Sequence, residues 1–282
     1  MPVLLHEVQE AYGGWNRNRV RTIGEIKMNE LTHLSLFSGI GGLDLAAEAA
    51  GFRTVGQCEW ADYQTKVLEK HWPDVPRWRD IRTLTGDDFY AKTGIESPTV
   101  VSGGFPCQPH SLIGKRKASN DDRDLWPELF RVFCETNARW LVAENVGGLL
   151  SSEYGRFFGR VLRDLANVGC NAGWMCFPAH AVGAPFWGER IAIIAQANSV
   201  GQQRSKHGMP PLSKWWGRSI TVCAARPRYW EYNVSKPCIC GKDDGFPGTL
   251  DRLKCLGNAV VPQQFYPFFK YIAEIERNSD EK

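Results

Sequence analysis

The amino-acid sequence predicts an α/β fold, with a parallel, doubly wound sheet covered by helices on both faces and a smaller irregular region beside it. Short apolar runs alternate with segments of helical periodicity from His33 to Gln196, and such alternation is typical of a parallel sheet. Polar or glycine-rich clusters follow the apolar runs at the points where strands should end. Residues 197–249 lose this periodicity and are rich in Gly, Pro, Lys, Arg and Trp, which indicates a separate small region.

The elements follow one another in a regular order. The strand that begins at His33 runs through the glycine-rich turn SGIGG into a helix that ends at Gly51. The next segments are a strand in TVGQCEW, a helix in DYQTKVLEKHWP and a buried strand in TVVSGGFP. LWPELFRVFCETN predicts an amphipathic helix, RWLVAEN a strand and YGRFFGRVLRDLANVG a helix, before strands around WMCFPAHAV and RIAIIAQ. Because parallel strands end at one edge of the sheet, we expect SGIGG, CEW, GGFPCQ and AEN to share one rim.

Composition limits the class of protein. The chain has 282 residues and a formal net charge of +3, so a nucleic-acid partner would have to bind a local basic patch. The sequence contains neither an apolar run of about 18 residues nor the pattern of a signal peptide, which favours a cytoplasmic protein that does not enter membranes. Its nine cysteines are an odd number, and this favours reduced thiols over a disulfide framework.

The predicted organisation has four parts. They are an N-terminal extension at residues 1–30, a main domain at 31–196, a small region at 197–249 and a C-terminal segment at 250–282 that returns to the main domain. The extension is interpreted either as a solvated arm or as a nucleic-acid contact. In the small region, the adjacent Trp215 and Trp216 belong either to a surface that binds nucleic acid or to the hydrophobic core of that region. Cys238 and Cys240 are spaced as CxC, which is weak evidence for zinc, and no metal is predicted.

Several residues at predicted strand ends suit an adenosine-bearing cofactor. The turn SGIGG allows a ligand to approach the backbone closely, although a plain tight turn would also explain it. Glu59 follows the next strand, where a carboxylate can hold ribose hydroxyls. Trp60 offers a face for a purine ring, and Asp80 can accept a hydrogen bond from an exocyclic amine.

Cys107 lies in the loop GGFPCQPHS, and its residue type is compatible with a buried thiol, a metal ligand or a nucleophile. Two prolines stiffen this loop, and two glycines make room for a ligand. A thiol nucleophile needs an electropositive neighbour to ionise at neutral pH. Glu144 and Asn145 end an apolar strand, where a carboxyl group serves either as a structural cap or as an acid whose pKa is raised by burial.

In chain order, FSGIGG, CEW, RDI, GGFPCQPHS, AENV, GERIAII and LGNAVVPQ resemble the motifs of the DNA (cytosine-5-)-methyltransferase family. The resemblance covers about residues 34–196 and 253–272. It implies the Rossmann-like sheet of S-adenosylmethionine-dependent methyltransferases, with residues 197–249 as a small target-recognition domain. The implied reaction transfers a methyl group from S-adenosyl-L-methionine to C5 of cytosine in a short duplex DNA sequence, through base flipping and a covalent bond between Cys107 and C6.

The resemblance also implies roles for individual residues. Cys107 matches the nucleophile, Glu144 the acid beside the base, Arg190 an orienting arginine and Asn145 a residue that steadies the loop and the base. The implied cofactor pocket consists of Phe37, Ser38, Gly39, Ile40, Gly41, Gly42, Glu59, Trp60, Asp80, Ile81, Gly104, Pro106, Leu125, Asn258 and Ala259.

One motif departs from the family pattern. The family's PQxRxR stretch reads PFWGER here, so Gly188 stands in place of the first arginine, and Phe186 and Trp187 replace polar residues. The family is typical of restriction-modification systems, which implies duplex DNA and a cognate restriction endonuclease as partners, a monomeric enzyme, and a bacterial or phage-encoded origin.

The sequence disfavours three other functions. The tRNA-methylating branch usually carries a doubled proline before its cysteine, whereas this chain has Phe105 and Pro106. A cysteine hydrolase would need a histidine base in a recognisable pairing, and it would leave SGIGG and CEW unexplained. A catalytically silent DNA-binding relative is disfavoured by the intact Cys107 and Glu144.

Overall fold

A computed structural model describes residues 30–106, 124–184, 186–197 and 259–279. Its strands are β1 (Thr32–Leu36), β2 (Arg53–Cys58), β3 (Arg77–Trp78), β4 (Val100–Gly104), β5 (Trp140–Val146), β6 (Asn171–Phe177) and β7 (Arg190–Gln196). They form a seven-stranded sheet in the order β3-β2-β1-β4-β5-β7-β6. The predicted small region at residues 197–249 lies almost entirely outside the described residues, as does the extension at 1–30, and the predicted domain boundaries stay predictions.

Helices cover both faces of the sheet. The α-helices are α1 (Gly42–Ala49), α2 (Asp62–His71), α3 (Gly86–Thr93), α4 (Trp126–Glu135), α5 (Arg156–Asn167) and α6 (Pro262–Ser279). Segments of 3-10 helix lie at Ile81–Thr83, Gly147–Gly155 and Ala179–Val182. Helix α3 was not predicted from the sequence. Within the described ranges, no helix is both long and apolar enough to cross a bilayer, and Cys58, Cys134, Cys170 and Cys176 are free thiols.

The parallel strands end together, as the sequence predicted. Leu36 at the end of β1 is in register with Cys58 of β2 and with Gly103 of β4. Gly104 of β4 is in turn paired with Glu144 of β5. The segments that follow these strands therefore lie along one rim of the sheet, which is called the carboxyl edge below.

The prediction of a wholly parallel sheet is wrong for β7, which runs antiparallel to both β5 and β6. A parallel connection between neighbouring strands needs a crossover long enough for a helix. The described part of the chain from Pro178 to Glu189 contains only the 3-10 segment Ala179–Val182, so the chain turns back beside β6. The strand predicted around WMCFPAHAV accordingly ends at Phe177, and Arg190, the first residue of β7, lies at the carboxyl edge opposite Val146.

Two apolar clusters hold the layers together. On one face, α4 and α5 pack on the sheet, and Phe157, Val161 and Leu165 recur at helical spacing along the buried side of α5. On the other face, α1 and α6 cover the strands, and Phe265, Phe269 and other apolar residues of α6 are fully buried. Burial of both faces explains why β5 and β7 carry long apolar runs.

A fully buried carboxyl group lies among these apolar layers. Asp44 of α1 accepts hydrogen bonds from Ser35 Oγ at 2.9 Å and from Gln57 Nε2 at 2.9 Å. Burial raises the pKa of Asp44 to about 6, although the two hydrogen bonds and the positive charge of Arg77 lower it. The cost of burying this group is thus only partly offset by its hydrogen bonds.

Asp44 should make the stability of the protein depend on pH. Because its pKa is about 6 when folded and about 3.9 when unfolded, its contribution is present below about pH 4 and is lost as the pH rises through about 6. Asp44→Asn should therefore flatten the decline in Tm between pH 4 and 6, measured by thermal denaturation. An exposed control, Glu96→Gln, should keep the wild-type profile. An equal difference in Tm between Asp44→Asn and wild type at pH 4 and pH 7 would contradict this expectation.

Candidate active site

The loop between β1 and α1 has the backbone of a ligand-binding turn. Phe37 has a φ of 51° and Gly39 a φ of 57°, and such left-handed backbone is uncommon for a phenylalanine. A Cβ added at Gly39 would meet no atom within 4 Å, whereas one at Gly41 would lie 2.5 Å from the Trp72 ring. The loop is therefore packed at Gly41 and open at Gly39. Of the remaining predicted loop residues, Ser38 is buried and donates a hydrogen bond to the Ser35 carbonyl, and Ile40 is half-buried.

Glu59 connects the end of β2 to this loop. One of its carboxylate oxygens accepts the Gly39 N–H at 2.8 Å, and the other accepts the Ala61 N–H at 2.8 Å. Burial raises the pKa of Glu59, while the backbone N–H donors lower it. The side chain of Trp60 beside it is 68% exposed, so the indole face is open to a planar ligand.

Asp80 and Ile81 lie further along the same edge, after β3. The Asp80 carboxylate caps the 3-10 segment Ile81–Thr83 by accepting the Arg82 N–H at 3.0 Å. The Arg82 guanidinium also donates to this carboxylate, and these bonds hold the pKa of Asp80 below its usual value. Ile81 is buried. The predicted pocket residues after β1, β2 and β3 thus share one edge of the sheet.

The chain that leads into α6 lies against the cofactor loop. A Cβ added at Gly42 would stand 2.5 Å from the Val260 carbonyl oxygen, so the two backbones are in direct contact. Ala259 immediately precedes this contact and is half-buried. Asn258, the other predicted pocket residue of this segment, lies outside the described residues.

Glu144 forms a buried ion pair at the end of β5. Its Oε1 lies 2.8 Å from Arg190 Nε. Burial raises the pKa of Glu144 to about 7, although the charge of Arg190 and the hydrogen bond it donates lower it. A Cβ added at Gly104 would stand 2.6 Å from Glu144 Oε2, so glycine at the end of β4 leaves room for the carboxyl group.

Asn145 holds the entrance to the cysteine loop. Its Nδ2 donates to the Phe105 carbonyl at 2.9 Å, and its Oδ1 accepts the Val146 N–H at 2.9 Å. Phe105 is buried against Trp126, with 5.4 Å between the ring centroids. Pro106 follows and is exposed. Cys107 itself lies outside the described residues, and the chain is described again from Asp124.

Leu125 stands at the far end of that loop, where it precedes the first residue of α4 and is half-buried. Asp124 beside it accepts the backbone N–H of Trp126 at 3.3 Å. Since the Trp126 ring also packs on Phe105, both ends of the cysteine loop contact Trp126, one through its backbone and the other through its indole.

One residue of the site was missed by sequence reasoning. Gln264 of α6 is buried, and its Nε2 donates to the Phe177 carbonyl at 3.3 Å and to the Gly188 carbonyl at 3.2 Å. It thereby holds the segment that leads to Arg190. The signal was present in the sequence, because a glutamine directly before the buried apolar residues of a helix needs a hydrogen-bond partner.

An open sheet with a glycine-rich loop after its first strand and an acidic residue after its second belongs to the Rossmann-like class of α/β proteins. The chain belongs to the C-5 cytosine-specific DNA methylase family, whose model matches residues 31–216. The predicted fold class, the Rossmann-like sheet of S-adenosylmethionine-dependent methyltransferases, and the predicted family are confirmed.

Curated relatives are bacterial. The chain is 30% identical over 256 residues to the Type II methyltransferase M.BsuFI of Bacillus subtilis, which corresponds to 88% of this chain and 59% of that protein. It is 34% identical over 185 residues to the Type II methyltransferase M.Eco47II of Escherichia coli, with 62% of this chain and 42% of that protein covered. The chain thus spans about half the length of these relatives.

Solved structures share the fold. A protein described as a DNA modification methyltransferase encoded within an Escherichia coli prophage matches with a TM-score of 0.53 and 23% identity, over 62% of this chain and 49% of that chain. DNMT2 of Spodoptera frugiperda matches with a TM-score of 0.50 and 21% identity, over 62% and 53%. At these identities the likeness supports the fold alone.

The contact between Gly42 and Val260 should make Gly42 intolerant of a side chain. Gly42→Ala places a methyl group against the Val260 carbonyl, and we expect it to lower the free energy of unfolding by about 1–3 kcal/mol. Gly159 lies within α5 with open space around it, so Gly159→Ala should raise the same quantity by about 0.5–1 kcal/mol. Urea denaturation measures both variants. If Gly42→Ala matches or exceeds the stability of wild type, α6 does not dock on the loop as described.

Proposed function

We propose that this chain transfers a methyl group to C5 of cytosine in duplex DNA, with S-adenosyl-L-methionine as the methyl donor. The observation that carries the proposal is the buried pair of Glu144 and Arg190 beside Gly104, at the start of the loop that contains Cys107. Membership of the C-5 cytosine-specific DNA methylase family supports the reaction class. The similarity to Type II methyltransferases supports DNA as the substrate.

The described residues fit the proposed cofactor. The open backbone at Gly39 leaves space for a ligand, and the exposed Trp60 offers a face for adenine. Glu59 provides carboxylate oxygens, beside this loop, that can accept hydrogen bonds from ribose hydroxyls. When bound, S-adenosyl-L-methionine supplies a methyl group on a sulfonium, which is an electrophilic carbon.

Cys107 has the chemistry that cytosine requires. C5 is a poor nucleophile while the ring is aromatic, and bonding of the Cys107 thiolate to C6 converts C4–C5 into an enamine-like unit. After C5 has taken up the methyl group, loss of the C5 proton to a base and departure of the thiolate from C6 restore the aromatic ring. The cysteine is thus regenerated and serves as a nucleophilic catalyst.

Glu144 would act on the opposite side of the ring at N3. With a pKa of about 7, the carboxyl group is protonated in a substantial fraction of molecules at neutral pH. A protonated carboxyl donates a hydrogen bond to N3 and stabilises the charge that develops there as the thiolate adds. Arg190 holds the carboxyl in place through its Nε, and Asn145 holds the Phe105 carbonyl two residues before Cys107.

The substrate base has to leave the duplex, because C6 is inaccessible within a stacked helix. We assign recognition of the surrounding sequence to residues 197–249, whose basic and aromatic composition suits contacts with DNA. A cognate restriction endonuclease is the partner that a Type II modification system implies, and its own cleavage site would then coincide with the methylated sequence.

Methyl transfer and adduct formation test this proposal together. Wild-type protein incubated with radiolabelled S-adenosylmethionine should label unmethylated duplex DNA and should form a covalent adduct with duplex containing 5-fluorocytosine, which cannot release a proton from C5. Cys107→Ser should abolish both signals, whereas Cys176→Ser, at an exposed free thiol on β6, should retain them. Label found only in tRNA, or an adduct that survives in Cys107→Ser, would sink the proposal.

The pH dependence of the reaction should report on Glu144. If the protonated carboxyl is required, the single-turnover rate falls as the pH rises through a midpoint near 7. Arg190→Ala removes a charge that lowers this pKa, so the midpoint should move to higher pH while the maximal rate falls about 100-fold. Lys92→Ala, which breaks an ion pair with Asp88 on α3, should leave both quantities unchanged. An unmoved or lowered midpoint in Arg190→Ala would show that Glu144 is not the titrating acid.

A further inference from the structure

We propose that Phe186 and Trp187 form a base-stacking platform that receives a nucleobase of the DNA when cytosine leaves the helix. This inference rests on the proposed function, and it extends that function to two aromatic residues of the segment that leads to Arg190. The side chain of Phe186 is 53% exposed and that of Trp187 is 65% exposed. Two adjacent aromatic rings with this much exposed apolar surface indicate a binding surface.

The platform lies in the segment that leads into the candidate active site. Phe186 and Trp187 precede Arg190 by four and three residues, and Arg190 begins β7 at the carboxyl edge. Its Nε contacts the buried Glu144 at 2.8 Å. Because four residues span at most about 14 Å, the rings lie within that reach of Arg190, where the proposed reaction needs an unstacked base.

The backbone under the rings is firmly held. The Ala179 N–H donates to the Trp187 carbonyl at 2.7 Å and to the Gly188 carbonyl at 3.2 Å. Gln264 Nε2 donates to the same Gly188 carbonyl at 3.2 Å. The rings are thus exposed on a fixed backbone, and a base that stacks on them meets a surface that is already ordered.

Gly188 lies against the Phe186 ring and so contributes to the platform. Its φ is +46°, and a Cβ added there would lie 2.6 Å from a ring carbon of Phe186 and 3.0 Å from the Ala179 Cβ. The Phe186 ring therefore occupies the space into which a side chain at position 188 would project. A residue with a side chain at position 188 would therefore strain the backbone and displace the Phe186 ring.

Stacking is the interaction these rings offer. A base that leaves the duplex, and the bases that it leaves behind, lose stacking on their neighbours. An aromatic side chain restores part of this lost stacking energy for any base, because every base presents a π-face. The platform would thereby lower the cost of extruding the cytosine without contributing to sequence recognition.

The test compares two duplexes that differ only at the target. The methylated sequence is first identified by bisulfite sequencing of plasmid treated with wild-type protein, and the target cytosine is then paired with guanine or placed opposite an abasic site. Trp187→Ala and Phe186→Ala should each lower kcat/KM by about 5–100-fold on the paired duplex and by less than about threefold on the abasic duplex, where extrusion costs less.

Matched variants sharpen the comparison. Trp187→Phe keeps an aromatic face and should recover most of the activity on the paired duplex. Tyr90→Ala, on α3, removes a ring that is 54% exposed and should change neither rate. Equal losses on both duplexes in the platform variants would overturn the inference. A lowered Tm without a selective loss would also overturn it, because the rings would then pack against another part of the chain.

Binding separates this inference from the proposed function. If wild-type protein methylates no DNA, the proposed function fails. The platform can still be judged from the affinity for a duplex with one mismatched cytosine relative to the fully paired duplex. A preference for the mismatched duplex that Trp187→Ala removes would support stacking, and the lack of any preference in wild type would overturn it.

Discussion

The ion pair between Glu144 and Arg190 depends on the direction of one strand. A carboxyl group at the buried end of β5 is costly to ionise without a charged partner. Because β7 runs antiparallel to β5, its first residue lies where β5 ends, and Arg190 reaches Glu144 at 2.8 Å. If β7 were parallel, Arg190 would begin at the opposite edge, about 20 Å away for a strand of this length. The reversal of β7 therefore brings the acid and its partner together.

Segments far apart in the chain lie close to the Glu144–Arg190 ion pair. Each of them contributes a contact that depends on its particular residue type. Gly104 leaves space for the Glu144 carboxyl group, and Asn145 fixes the carbonyl of Phe105. Gln264 holds the Gly188 carbonyl two residues before Arg190. In the proposed reaction these contacts would orient the reacting groups in advance, and such orientation supplies much of the electrostatic stabilisation in enzymes. The fold would thus support the proposed chemistry mainly through buried hydrogen bonds to backbone carbonyls.

Much of the arrangement could be predicted from local patterns. The sequence indicates where β1, β2, β4 and β5 end, because each apolar run stops at a polar or glycine-rich cluster. In the structure, the register of these parallel strands brings those ends to one edge of the sheet. The direction of β7 depends on the connection that precedes it, which periodicity does not reveal. Helix α3 was missed because a single buried side chain, Phe89, anchors it, and so little apolar surface gives almost no periodic signal. Gln264 and Val260 act through tertiary contacts, and the sequence pattern signals that Gln264 needs a hydrogen-bond partner without identifying the partner of either residue.

The reversal of β7 also constrains the segment between β7 and α6. Ala197 is held at the edge opposite the site, where its N–H donates to the Arg139 carbonyl at 2.9 Å, while Val260 rests on Gly42 at the carboxyl edge. The two anchor points are therefore separated by about the height of the sheet, near 20 Å. A segment grafted here from a relative has to bridge that separation, which takes at least about six extended residues. Beyond this minimum, added length costs little entropy, so under the proposed function the recognition segment could be exchanged as a module while the sheet stays unchanged.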